Sequence, residues 1–224
     1  MLTKPTNIMP IHQLPTEIPL ILVRGAVLMP KAYLPLPLFD NVPLSLVNES
    51  LKEKKMIGLI QPTASIKETA DFDDLTLFSI GTLAQIVEIN EISNNKMIVT
   101  LEGICRFRLL DKQETDDGYP IGKVCYDQFS GDLIEENDFM LDRDRLIGLL
   151  KPYFNRLDIN INFDEISKTS NQKLITALTM ACPFHPSEKQ ILLETENLKE
   201  QSQLITTLIE MTSYSGHNEI ITYH

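Results

Sequence analysis

The 224-residue chain is poor in cysteine and in positive charge, and it has no long unbroken apolar run. Its three cysteines, Cys105, Cys125 and Cys182, are an odd set with no C-x-x-C pair. That argues against a secreted disulfide scaffold and fits a reducing compartment. Basic residues number 20 against 31 acidic ones, a formal net charge of −11. A field of that sign repels nucleic acid and anionic lipid at long range. The most apolar stretch, 18–39, is broken by Arg24, Lys31 and several prolines, so it does not read as a membrane span. The first residues lack the apolar core and small-residue cleavage site of a secretory signal. The expectation is a soluble, cytoplasmic protein.

Hydrophobic residues make up 43% of the chain, enough for a proper core at this length. Residues 1–17 hold three prolines and no periodicity and read as a flexible tail. Residues 18–130 are mostly period two, bounded by turn formers, and read as a β subdomain. Along 96–112, Met97, Val99 and Leu101 alternate with Lys96, Thr100 and Glu102. Beyond Gly103, Cys105, Phe107 and Leu109 alternate with Arg106, Arg108 and Lys112. With Asn94-Asn95 as a turn, 79–89 and 96–104 are expected to pair as a hairpin, and Gly103 to mark a bulge or bend. One helix is expected to interrupt the strands, starting at Pro43 and carrying Leu44, Val47 and Leu51.

Residues 131–224 change period and read as a helical subdomain. Phe139, Leu146, Leu149, Leu150, Tyr153, Phe154 and Leu157 recur at helical spacing. Pro152 falls inside that run, so a kink or break is expected near 148–151. A second helix is expected over 170–181, a third starting at Pro186 with Glu188 as half of a capping box, and a last over 197–214. Strands followed by helices make an α+β chain.

Three segments resemble one known family in order and spacing. They are Leu77-Phe-Ser-Ile-Gly-Thr-Leu83, Leu101-Glu-Gly-Ile-Cys-Arg-Phe-Arg108, and Pro183-Phe-His-Pro-Ser-Glu-Lys-Gln-Ile-Leu-Leu-Glu194, preceded by I-P-L-I-L-V-R-G-A-V-L-M-P from Ile18 and L-P-L-P-L-F-D from Leu34. Together they resemble the amino-terminal substrate-binding domain of Lon proteases, in a version that stands alone. The resemblance implies a small PUA-like β-barrel with the inserted helix, then a C-terminal helical bundle, with no cofactor. It implies a non-enzymatic module that binds unfolded or extended polypeptide, in proteolysis or quality control, alongside a protease or chaperone. The chain departs from the family at Asp40-Asn-Val-Pro43, where an arginine contact is in doubt, and at His185, where the family often places Ser or Asp as a better cap.

No catalytic constellation is legible. The Walker loop and Ser–Lys dyad of full-length Lon proteases are not found. Gly118-Tyr-Pro-Ile-Gly-Lys123-Val124 is one residue short of a phosphate loop and lacks its hydroxyl, so it reads as a turn and strand start. Cys182-x-x-His185 has no second ligand pair, and no base or oxyanion hole marks a cysteine nucleophile. The acidic runs at 71–74, 116–117 and 135–138 read as solvated loops. What remains is a binding surface. Ile98 and Leu110 lie on the polar faces of their strands, and Met29 and Tyr33 in the proline-rich segment before them. An extended polypeptide could pair with an open sheet edge and set apolar side chains on these four residues. The alternative is RNA binding, as in other PUA-like proteins, through Arg106, Arg108 and Lys112.

Overall fold

The computed structural model describes residues 10–38, 46, 56–63, 72, 75–93, 96–134 and 139–214. Strands come first: β1 (Glu17–Leu22), β2 (Tyr33–Leu38), β3 (Met56–Ile60), β4 (Ile80–Ser93), β5 (Lys96–Glu114) and β6 (Pro120–Cys125). Helices follow: α1 (Arg143–Arg156), α2 (Phe163–Lys168), α3 (Asn171–Ala181), α4 (Pro186–Glu194) and α5 (Leu198–Tyr214). Two compact units result. One is Met1–Glu136 with His185–Glu194, and the other is Asn137–Phe184 with Thr195–His224. The sequence places the division at 130/131 and gives all of 131–224 to the helical part. In the structure α4 belongs with the sheet.

The six strands form one mixed sheet in the order β2-β5-β4-β3-β1-β6, and β6 also pairs with β5. Only β1 and β3 run parallel. The expected hairpin is β4 with β5, paired from Ser93↔Lys96 down to Ile80↔Arg108; its turn, and the departure at 40–43, lie outside the described residues. The inserted helix of 43–55 also lies outside them, apart from Leu46, which is helical and buried. Residues 10–17, read as tail, carry a short 3-10 turn at Ile11–Gln13 and bury Leu14. The Pro15 carbonyl there accepts a hydrogen bond from the Tyr126 hydroxyl at 2.6 Å.

Alternation builds the core as expected. Val99, Leu101, Cys105 and Phe107 of β5 are buried beside Leu83 and Ile86 of β4 and Ile18 and Leu20 of β1. Two glycines make room for close approaches. A Cβ on Gly81 would sit 2.6 Å from the Phe107 ring, and one on Gly103 would sit 2.2 Å from the Met29 carbonyl oxygen. At Gly103 the preceding loop is stitched to β5: Gly103 donates to the Ala32 carbonyl (2.9 Å) and Lys31 donates to the Gly103 carbonyl (2.8 Å). The expected bulge is present, because Leu83↔Cys105 is followed by Ala84↔Gly103 and leaves Ile104 as the extra residue. The strand continues through it unbroken.

Buried polar groups hold α4 on the sheet. Gln61 accepts from the Gly25 N–H (2.8 Å) and donates to the Pro186 carbonyl (3.2 Å) and to Gln190 Oε1 (3.0 Å). Gln190 donates to the Ile80 carbonyl (2.9 Å) and to Glu194 (2.8 Å). Arg106, only 7% exposed, forms a bidentate pair with Asp132 and donates to the Leu193 carbonyl at 3.0 Å. A cation at the last turn of a helix is favourably placed against the helix dipole. His185 proves a better start for α4 than its residue type suggests. Its N–H donates to Glu188 at 2.7 Å, the expected half of a capping box, and its Nδ1 lies 2.7 Å from the Ser187 hydroxyl.

In the helical unit, α1 buries Leu146, Leu150, Tyr153 and Phe154, and α3 buries Leu174, Ile175 and Leu178. Tyr153 meets Phe154 edge-on and also contacts Phe184. Of the kink or break expected near 148–151, no break occurs, and α1 runs on through Pro152. Pro152 and Gly148, whose carbonyl loses the donor that residue 152 would supply, are both exposed, so the lost bond falls on the solvent side of the helix. Helix α2 was missed, although Asn162 caps it by accepting from the N–H groups of Asp164 and Glu165.

Gln190→Ala takes one acceptor from the Gln61 amide, which keeps the Pro186 carbonyl, and takes the side-chain donor from the Ile80 carbonyl. A buried group left short of a partner costs about 1–3 kcal/mol, so urea unfolding should show a loss of about 1–3 kcal/mol at unchanged m-value.

Candidate protein-binding face

The hydrogen-bond register of β2 on β5 determines what this face displays. Ala32 and Gly103 are backbone-bonded partners, and β2 then pairs without a shift: Tyr33↔Glu102, Leu34↔Leu101, Pro35↔Thr100, Leu36↔Val99, Pro37↔Ile98. Bonded and non-bonded pairs alternate in an antiparallel ladder. Tyr33, Pro35 and Pro37 therefore fall at non-bonded positions, where cross-strand side chains approach closest. Leu36 and Leu38 turn to the buried side.

Continuing to β4 through Gln85↔Glu102, Glu88↔Thr100 and Asn90↔Ile98 gives three rows on one outward face. They read Tyr33-Glu102-Gln85, Pro35-Thr100-Glu88 and Pro37-Ile98-Asn90. Tyr33 is 59% exposed, and Pro35, Pro37, Glu88 and Asn90 are exposed too. Val87 is the extra residue of a bulge between Ile86 and Glu88, and it is turned out to solvent. The Tyr33 hydroxyl donates to Glu102 at 2.8 Å. That bond to a carboxylate, with partial burial and the negative charge beside it, raises the Tyr33 hydroxyl above the ordinary tyrosine range. The rows hold aromatic, aliphatic, proline and carboxylate groups and no lysine or arginine.

Of the four residues singled out in the sequence, the structure brings two together. Tyr33 and Ile98 share this face. Met29 is buried at 5% exposure, its carbonyl pressed against Gly103, and it is not on this face. Leu110 is 57% exposed but sits in the part of β5 that pairs with β6, as the extra residue where Leu109↔Val124 passes to Asp111↔Lys123. Its exposure follows from that bulge. Pro35, Pro37, Val87, Thr100 and Glu102 were not foreseen. The signal was the alternating prolines of L-P-L-P-L, since a strand with proline at every second position must hold its prolines at non-bonded sites.

The three cations of the RNA reading do not form a free patch. Arg106 lies on the outer side of β5, as alternation demands, but Asp132, Leu193 and the Phe129 ring cover it. Arg108 donates to Gln128, and Lys112 donates to the Phe72 carbonyl and lies over the Phe72 ring. The near-Walker segment is a turn at Gly118 (φ 77°) leading into β6. Among the described residues there is no metal-binding cluster of His, Cys, Asp or Glu, and no helix long and apolar enough to cross a membrane. A cavity of about 170 Å³ lined by Glu17, Asp111, Lys112 and Lys123 is smaller than ordinary substrate pockets.

Comparison with known proteins fits this architecture. Residues 17–211 match the family model described as the ATP-dependent protease La (LON) substrate-binding domain. The chain belongs to this family. Relatives include the Lon protease of Halothermothrix orenii, 24% identical over 205 residues, and that of Buchnera aphidicola subsp. Baizongia pistaciae, 28% identical over 203. Each match takes in 87% of this chain and 25% of the relative, so the chain spans about a quarter of their length. The fold is that of Lon amino-terminal domains. A Lon N-terminal domain protein from Xanthomonas campestris superposes with a TM-score of 0.56 at 19% identity, over 89% of this chain and 99% of that one. The N-terminal domain of Mycobacterium avium complex Lon protease gives 0.59 at 14%, over 87% and 98%.

Cys105 is buried beside the Arg106–Asp132 pair. Burial and then the Asp132 carboxylate push its thiol up to about 12, with Arg106 opposing. Iodoacetamide at pH 8 should label half-exposed Cys125 and spare Cys105 until the chain unfolds. The unfolded thiol ionises near 9 while the folded one keeps its proton to about 12. The folded state therefore binds more protons across that window, and stability should fall as pH rises through it.

Proposed function

We propose that this chain is a non-enzymatic polypeptide-binding module, and that its binding surface is the outward face built from Tyr33, Pro35, Pro37, Val87, Ile98, Thr100 and Glu102. The observation that carries the reading is the set of three rows, in which exposed Tyr33, Pro35 and Pro37 lie beside half-buried Ile98 and Thr100, together with the carboxylates of Glu88 and Glu102. Membership of the LON substrate-binding family supports a polypeptide ligand. Apolar groups on an exposed face bind apolar side chains, and the carboxylates of Glu88 and Glu102 favour basic ones. The ligand is thus an extended or unfolded segment mixing apolar with lysine or arginine side chains. Tyrosine and proline supply contact area at little entropic cost on binding. We read the ring of pairings β5-β4-β3-β1-β6-β5 as the small PUA-like barrel of the resemblance, and the second unit as its helical bundle. The role is in protein quality control or proteolysis beside a protease or chaperone, in the reducing cytoplasm that suits three free thiols.

Binding of an unfolded, cation-containing client should weaken by at least about tenfold in Tyr33→Asp/Ile98→Asp. It should also weaken with added salt, while Leu110→Asp leaves it unchanged. Titration of a fluorescent client measures all three. Equal affinity across the variants would remove this face from the reading, and no capture above a scrambled soluble control would remove the polypeptide function.

A further inference from the structure

The same register that builds the face also determines what the outer edge of β2 can offer. Among the described residues β5 is the sole neighbour of β2, and the other strands of the sheet are each paired on both sides. Residues at non-bonded positions toward β5 point their backbone N–H and C=O away from it. On β2 these are Tyr33, Pro35 and Pro37. Proline has no N–H, so this edge carries three outward carbonyls and a single donor, that of Tyr33. A strand laid along it would find two of its carbonyls without a partner, and pyrrolidine rings in the way. Leu34 and Leu36, whose N–H groups point inward, complete the ladder to β5 undisturbed. Swapping the order of proline and leucine would do the reverse, breaking the inner ladder and arming the edge.

We infer that Pro35 and Pro37 close the outer edge of β2 to strand pairing by a second copy of this chain, and by the same geometry to strand addition by a bound polypeptide. The second clause rests on the proposed function, and the first does not. An exposed edge beside an apolar face is a template for aggregation, and proline on that edge is one of the few ways to blunt it without changing the face. The client is accordingly gripped by side chains over the face, and the edge pairing expected from the sequence does not take place.

The test compares the unmodified chain with Pro35→Val/Pro37→Val, which restores both donors on residues of high strand propensity. Sedimentation should show the parent monomeric and the double variant self-associating, with a dissociation constant lowered on the order of tenfold for each restored bond. Pro37→Val alone, which restores one donor and keeps one proline, should fall between them and covers the case in which the double variant does not reach the native circular dichroism spectrum. A natively folded variant as monomeric as the parent overturns the inference, as does a parent that disulfide-crosslinks to itself at Tyr33→Cys. In a second arm, an apolar and basic peptide and its copy N-methylated at alternate residues are titrated into the parent. Equal affinity supports engagement through side chains, and a loss above about tenfold on methylation overturns it. If neither peptide binds, the proposed function fails, and sedimentation still decides the edge.

Discussion

One buried cation organises the sheet unit. Arg106 sits on the outer side of β5, where a solvated arginine would be expected, yet it is enclosed by Asp132 from the turn after β6, by the Leu193 carbonyl at the end of α4 and by the Phe129 ring. Taking a guanidinium out of water is costly unless every donor is met, and here the partners come from two segments separated from it in the chain, the 127–133 turn and the end of α4. The arginine therefore makes the order of β5, of the 127–133 turn and of α4 interdependent. It also divides the outer side of the sheet. The half near Arg106 is covered by the protein itself, and the half at Ile98, Thr100 and Glu102 is left to solvent.

The glutamine pair Gln61–Gln190 performs the same service one turn earlier in α4, joining the helix to β4 and to the loop at Gly25. Together these contacts give the P-F-H-P-S-E-K-Q-I-L-L-E segment a physical meaning. Pro186 starts the helix, Glu188 caps it, Gln190 binds the sheet, Leu192 and Leu193 fill the core, and the Leu193 carbonyl meets Arg106. The segment lies late in the chain, but it completes the sheet unit.

Much of the fold was legible in the sequence because its signals are local. Period-two alternation gave β4 and β5 and their buried faces, Ser170 and Pro186 gave the starts of α3 and α4, and Gly103 gave the bulge. What was not legible depends on partners far away in sequence. Nothing near Arg106 announces Asp132 or Leu193, and nothing near 185–194 announces that it packs with strands. A bulge hid the meaning of Leu110, since one inserted residue turns an apolar side chain outward without creating a patch, and another bulge hid that Val87 is turned out beside the candidate face. Met29 looked available because it lies in the proline-rich segment before β2; the close approach of its backbone to Gly103 goes with a buried side chain. Of the seven residues of the candidate face, two, Tyr33 and Ile98, were readable. The rest needed the pairing of β2 with β5, which fixes the side to which L-P-L-P-L turns its prolines.

In the proposed function, clients lie across the face of β2, β5 and β4. The decisive measurement follows amide and methyl resonances of the labelled chain while an unfolded client rich in apolar and basic residues is added. Shifts are expected to gather on Tyr33, Val87, Ile98, Thr100 and Glu102, with Arg108, Leu110 and the β6 strand silent. Shifts gathered instead at Leu110 and β6, or confined to the helical unit, would rule this face out.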